Sequence, residues 1–283
     1  MNGFCPAPGV YENIPFAEYL QWDAMDKTAL WSMRKSPAHF RWERDHPRKA
    51  TAPMERGTLL DTLLFDGEEA LAAKVMLRPD GNGNTKVVRE AAAEADMTGR
   101  ILVTADELTE LRIRVINIQE HPAAAELLAV CDTQVSFVWV DPDTGIVCKG
   151  RTDLAERGGP RIAELKHTRN AEAGLFRLDV ARFGYQIQGA MYVDGLRVAT
   201  GADYNDFLFI LGEAEPPYCA NVVPLGVASI AAGRNAYSRW LERYKRCLAA
   251  DEWPGYDDSK SPIDIPNWAL SEEGIMAQDA EWQ

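Results

Sequence analysis

Asp153, Glu164 and Lys166 are conspicuous because two acids and a lysine occupy short apolar segments, where burying charge is costly. They lie in GRTDLAERGGPRIAELKHT, residues 150–168. Alternate side chains of a strand share a face, so Glu164 and Lys166 point one way and Ala163 and Leu165 into the opposite layer. A Gly-rich turn between the two segments lets Asp153 come alongside them. Two carboxylates and an ammonium together suit a hard divalent cation such as Mg²⁺, which takes one or two protein carboxylates and completes its shell with water and substrate phosphate. Such an ion acidifies water and neutralises charge on a phosphodiester, while the lysine positions that water or stabilises the developing charge. The same spacing describes a surface hairpin with a modest cross-strand ion pair, and spacing alone favours this plainer reading.

Three strands carry these residues. The hydrophobic period changes to two over QVSFVWV, IVCKGRTDL and RIAELKH, with turns at residues 141–145 and 156–160, which predicts an antiparallel meander. Helices are expected on both sides of it in the chain. DKTALWSMRK places Leu30 and Met33 on one face, and in SPAHFRWERDH Ser36 is the expected N-cap with Pro37 in the tolerated first turn. MERGTLLDTLLFDG carries a stripe of Leu59, Leu60, Leu63 and Leu64, with Gly67 as the expected stop. Residues 78–86 are Gly- and Asn-rich and read as a loop. TADELTELRIRVINIQEH opens with a capping box, Thr104 with Glu107. DVARFGYQIQGAMYVDGLRV reads as one helix in which Tyr185, Gln188 and Tyr192 share a face. NDFLFILGE reads as a fourth strand and AAGRNAYSRWLERYKRCLAA as a late helix.

A length of 283 residues allows a sizeable core, and 46% hydrophobic with 26% charged residues is ordinary for a globular protein. No signal peptide or membrane span is evident, so a cytoplasmic protein with no membrane role is expected. Five scattered cysteines with no CxxC pair point to reduced thiols rather than a zinc or iron–sulfur site. The net charge of −13 argues against a surface that coats nucleic acid nonspecifically. It leaves room for a local basic groove. Residues 251–283 carry nine acids against Lys260, whereas residues 34–56 hold seven basic side chains and three acids. Arg34, Lys35, Arg41 and Arg44, with His39 and His46, either line a DNA entrance or form a solvated face.

Five motifs in this order resemble the PD-(D/E)xK nuclease superfamily, and more narrowly its RecE-type, exonuclease VIII-like branch found in phage and prophage recombination systems. KTALWSMRKSPAHFRW resembles the branch's N-terminal Ser-Pro-Ala-His helix and MERGTLLDTLLF its G-T-x-x-H-x-x-L helix. TGIVCKGRTDL and IAELKHTRNA resemble its metal-ligand strands, and FGYQIQGAMYVDGL its Tyr/Gln helix. The resemblance spans roughly residues 10–210. It implies an α/β fold with a PD-(D/E)xK restriction-endonuclease-like core, a central mixed β-sheet flanked by helices. Residues 1–250 would form this unit, with an N-terminal helical region over 1–56 and an acidic tail over 251–283.

The resemblance further implies Asp153 and Glu164 as metal ligands, Lys166 as the catalytic lysine, and Gln188, Tyr192 and Tyr185 beside the site, contacting DNA or orienting the ligands. Where the branch has a histidine, this sequence has Asp61. An aspartate can bind a cation directly as a third carboxylate, but it cannot donate as a histidine does. Glu55, on the same helix, is an alternative ligand. His167 points to the opposite face of its strand and is expected to pack. The implied function is a Mg²⁺- or Mn²⁺-dependent deoxyribonuclease acting 5′→3′ on double-stranded DNA ends. A single-strand annealing protein would be its partner, and a homo-oligomeric ring its assembly. Two alternatives remain open: a catalytically weak DNA-binding or recruitment protein on the same fold, with Asp61 marking lost activity, and another nuclease of the superfamily such as the helicase-associated kind, disfavoured by the ungrouped cysteines.

Overall fold

The computed structural model describes residues 3–46, 51–256 and 262–270. Two of the seven basic side chains of residues 34–56, Arg48 and Lys49, together with Lys260 and most of the acidic tail, lie outside the described residues. The chain begins with strand β1 (Gly9–Tyr11) and three short helices, α1 (Phe16–Gln21), α2 (Lys27–Ser32) and α3 (Pro37–Asp45). Asp26 caps α2 by accepting from the Ala29 N–H at 2.8 Å. Ser36 caps α3 by accepting from the His39 N–H at 3.2 Å, with Pro37 in the first turn where its missing N–H costs nothing. Leu30 and Met33 are fully buried.

Helix α4 (Ala52–Asp61) runs into a π-helical turn at Thr62–Asp66, and the chain restarts at once as α5 (Gly67–Lys74). Gly67 therefore ends the first helix as its positive φ suits, but the helical run continues. Then follow β2 (Val75–Leu77), α6 (Lys86–Thr98), β3 (Ile101–Val103), α7 (Ala105–Glu120) and α8 (Pro122–Val130). The capping box of α7 is reciprocal: the Glu107 N–H donates to Thr104 Oγ1 at 3.1 Å and the Thr104 N–H to Glu107 Oε2 at 2.9 Å.

The meander is present as β4 (Cys131–Val140), β5 (Val147–Glu156) and β6 (Arg161–Thr168). Helices α9 (Ala173–Phe183) and α10 (Tyr185–Thr200) cross over to β7 (Asp206–Glu213), which pairs parallel with β6. Strand β8 (Ala220–Pro224) and the long helix α11 (Val227–Ala250) complete the unit. The main sheet has the order β1-β4-β5-β6-β7-β8, mixed because of the one parallel pair, and β2 with β3 makes a separate parallel ribbon. The α/β arrangement expected, a central mixed sheet flanked by helices, is thus observed.

Each face of the sheet has its own core. Ile162, Ala155, Phe207 and Phe209 pack under α2, α3, α10 and α11, while Leu154, Ala163, Leu165 and Ile210 pack under α4, α7 and α8. Strand alternation assigns β6 side chains to one or the other layer. Trp253 packs parallel to Phe40 at 5.6 Å between ring centroids, so the first residues beyond α11 dock on α3. Among the described residues no helix is long and apolar enough to cross a membrane, and all five cysteines are free thiols.

The helix read as continuous from Asp179 is two helices broken at Gly184, which adopts φ +68° and ψ +36°. A Cβ at this position would also overlap the Trp31 ring of α2. Both conditions require glycine. The Gly184→Ala variant is expected to lose about 1–2 kcal/mol from the left-handed backbone alone, with the Trp31 contact adding to it. Denaturant unfolding checks this, and an unchanged midpoint would show that α9 and α10 tolerate another junction.

Candidate active site

Strands β5 and β6 pair over only two residues, Leu154 with Ala163 and Ala155 with Ile162. Beyond that point the strands splay, and side-chain carboxylates take up the backbone donors that a ladder would otherwise satisfy. Asp153 Oδ2 accepts from the Leu165 N–H at 2.8 Å, and Glu164 Oε1 accepts from the Asp153 N–H at 3.2 Å. Glu164 Oε2 accepts from Lys166 Nζ at 2.9 Å and from Gln188 Nε2 of α10 at 2.7 Å. Glu164 is 3% exposed, and the backbone and side-chain donors around it are what make a buried carboxylate tenable.

Asp61 reaches the cluster from the C-terminal end of α4, where the π-helical turn widens the helix. Such turns recur at functional sites. Burial pushes its carboxyl up to about 7; Lys166 draws it down and Glu164 adds to the rise. Burial, then Glu164 and Asp61, raise Asp153 well above the carboxylate range. Burial alone would lower Lys166, but Glu164 and Asp153 more than offset it and hold the ammonium charged. Tyr192 is kept protonated by burial and by the Glu164 charge. Three carboxylates thus share one region with too little positive charge between them.

This donor set fits a divalent cation. Among the described residues no three His, Cys, Asp or Glu side chains converge closely enough to hold a metal ion without rearrangement. Mg²⁺ binding typically needs only one or two protein carboxylates, with water and phosphate completing the shell. Asp153 Oδ1 and both Asp61 oxygens accept no hydrogen bond among the described residues, so acceptors remain for an ion.

A family model described as a PDDEXK-like domain of unknown function, DUF3799, matches residues 27–260. The chain belongs to this PDDEXK-like family. The comparison with curated proteins returned no match. Among solved structures, the chain is similar to a protein from Eubacterium rectale designated an exonuclease by inference, at 12% identity and a TM-score of 0.58, over 88% of this chain and 93% of that one. An alkaline exonuclease from Laribacter hongkongensis aligns at 16% identity and a TM-score of 0.26, over 59% of this chain and 86% of that one. The first likeness supports the PD-(D/E)xK fold of the DUF3799 domain.

The domain brings together Asp61, Asp153, Glu164, Lys166 and Gln188, with Tyr185 at the edge, its ring centroid 5.1 Å from Lys166 Nζ. Tyr192 is 7% exposed and stacks edge-on against Phe137 at 5.4 Å, so it forms a wall behind Gln188. The basic N-terminal residues have local partners. Arg34 lies over Trp31 at 4.3 Å, Lys35 pairs with Glu43, Arg41 with Asp45, and Arg44 with Asp23. None of these partners belongs to the carboxylate cluster. His167 lies on the opposite face, where Arg114 donates to Nδ1 at 2.6 Å. Burial, with Arg114, lowers it to about 3, so it is a neutral packing residue. Lys27 and Lys74, absent from the sequence reading, also face the cluster's charges.

Proposed function

We propose that this protein is a metal-dependent deoxyribonuclease of the RecE type, acting 5′→3′ on double-stranded DNA ends. The observation that carries the reading is the convergence of Asp153, Glu164 and Lys166 with Asp61 where β5 and β6 splay. Asp61, Asp153 and Glu164 would hold Mg²⁺ or Mn²⁺, which when bound supplies positive charge to the scissile phosphodiester and acidifies water. Lys166, held charged, orients the attacking water and stabilises negative charge as water adds to phosphorus and the bond to the leaving sugar oxygen breaks. Gln188 fixes Glu164 from α10, and Tyr192 excludes water from behind it. Residues 1–250 serve as the nuclease unit, in the cytoplasm, with a ring-shaped homo-oligomer and a single-strand annealing protein as partners. The RecE-like motif order supports those last assignments.

The test is digestion of a linear duplex labelled at one 5′ end, beside a covalently closed circle, with Mg²⁺ and with EDTA. Mg²⁺-dependent release of the label as a nucleotide, with the circle intact, is expected. Cutting of the circle would make the enzyme an endonuclease. Binding without cutting would make it a DNA-binding protein on a nuclease fold.

A further inference from the structure

Lys27, the first residue of α2, holds its ammonium in an unusual place. Nζ donates to the Phe183 carbonyl at the end of α9 at 2.7 Å, and lies 5.3 Å from the Trp31 ring centroid and 5.7 Å from that of Tyr185. Lys166 faces the same Tyr185 ring. Two cations therefore flank one tyrosine beside the carboxylates. Capping a helix C-terminus is favourable for a cation, and the rings add cation–π attraction, but one carbonyl occupies one of three N–H donors. The other two have no partner among the described residues. Burial and then the like charge of Lys166 lower Lys27 to about 8, with Glu164 and Asp26 opposing the shift. An acceptor that uses both remaining donors at once is an anion with several oxygens, presented next to the scissile position.

We propose that Lys27 binds a backbone phosphate of the nucleic acid adjacent to the scissile one, with Trp31 and Tyr185 as the rigid walls that aim it. This rests on the nuclease reading for the identity of the ligand. Gly184 belongs to the same construction, since it lets Trp31 approach the α9–α10 junction from which the Phe183 carbonyl points. Arg34, over the other ring partner, keeps the Trp31 side of the subsite positive.

The test is binding of a fluorescently labelled duplex by anisotropy from 50 to 200 mM salt, with Ca²⁺ replacing Mg²⁺ to slow cleavage. Lys27→Gln keeps a donor for the Phe183 carbonyl but removes the charge, Lys27→Met removes both, and Lys27→Arg keeps the charge. Each neutral variant is read at a temperature at which its melting curve shows it folded. The expected result is weaker binding and a salt slope shallower by about 0.9, the value for one phosphate contact. Lys27→Arg should restore the slope, and KM in the Mg²⁺ reaction should rise more than kcat falls. A lowered melting temperature with a wild-type slope would assign Lys27 to α9 capping alone and overturn the proposal. If wild type binds but never cleaves and the slope still falls, the nuclease reading fails while the phosphate assignment stands. If cleavage is intact and the slope is unchanged, only the Lys27 assignment fails.

Discussion

Replacing Lys166 by methionine should lower the rate of phosphodiester cleavage by about 10²–10³-fold, the loss typical of removing one preorganised charge-stabilising donor. Nζ sits 2.9 Å from Glu164 Oε2, in a site closed by α10 and the sheet. There, positive charge acts with little screening by water. The variant should also be less stable, because removing one partner of a buried pair leaves Glu164 and Asp153 uncompensated. A divalent cation should restore part of that stability. Single-turnover kinetics on a linear duplex, with circular dichroism to confirm folding, separates the two effects. A variant that folds and cleaves at the wild-type rate would remove Lys166 from the chemistry.

The second large effect has the opposite sign for stability. Asp61→Asn should stabilise the metal-free protein by about 1–3 kcal/mol at neutral pH, and should weaken divalent-cation binding about tenfold. An acid whose folded pKa lies near 7, above its unfolded value of 3.8, is neutral in both states at low pH and imposes no penalty there. As pH climbs through about 4 to 7, ionisation in the unfolded chain draws stability away, and above 7 the full penalty applies. Metal-free wild type should therefore lose stability across that window, and the asparagine variant should lose less of it. Adding Mg²⁺ should reverse the order of the two melting temperatures. A variant no more stable than wild type across this range would show that Asp61 is solvated and no part of the carboxylate cluster.

Much of the scaffold can be read locally. Thr104 with Glu107, Ser36 with Pro37, and the alternation in β4, β5 and β6 are short-range signals, and each predicted an element that is present. The parity of Glu164 and Lys166 against Ala163 and Leu165 likewise follows from a period of two. The break at Gly184 escaped because its cause is long-range: the Trp31 ring arrives from α2, more than a hundred residues earlier in the chain. β1, β2 and β3, at three residues each, are too short to show a period. β8 is formed by its pairing with β7 rather than by its own pattern.

The members of the proposed site differ in how far the sequence points to them. Asp153, Glu164 and Lys166 are close in sequence and lie on facing strands, whereas Asp61 and Gln188 came from the motif order. Lys27 gave no local sign, since its meaning depends on the Phe183 carbonyl and the Tyr185 ring. The basic stretch shows the converse. Arg41 with Asp45 is an i, i+4 pair visible in the sequence, but the Arg44–Asp23 pair depends on the fold.

The most direct measurement is the rate of nucleotide release from a linear duplex at saturating Mg²⁺, wild type against Glu164→Gln. Glutamine keeps the shape of a side chain that accepts three hydrogen bonds, from the Asp153 N–H, Lys166 and Gln188, but removes the charge that faces Lys166. Cleavage by the wild type that falls about 10³-fold in a normally melting variant is the expected result. Equal rates, or a wild type that binds the duplex and releases nothing, would contradict the assignment of this cluster as a phosphodiesterase centre.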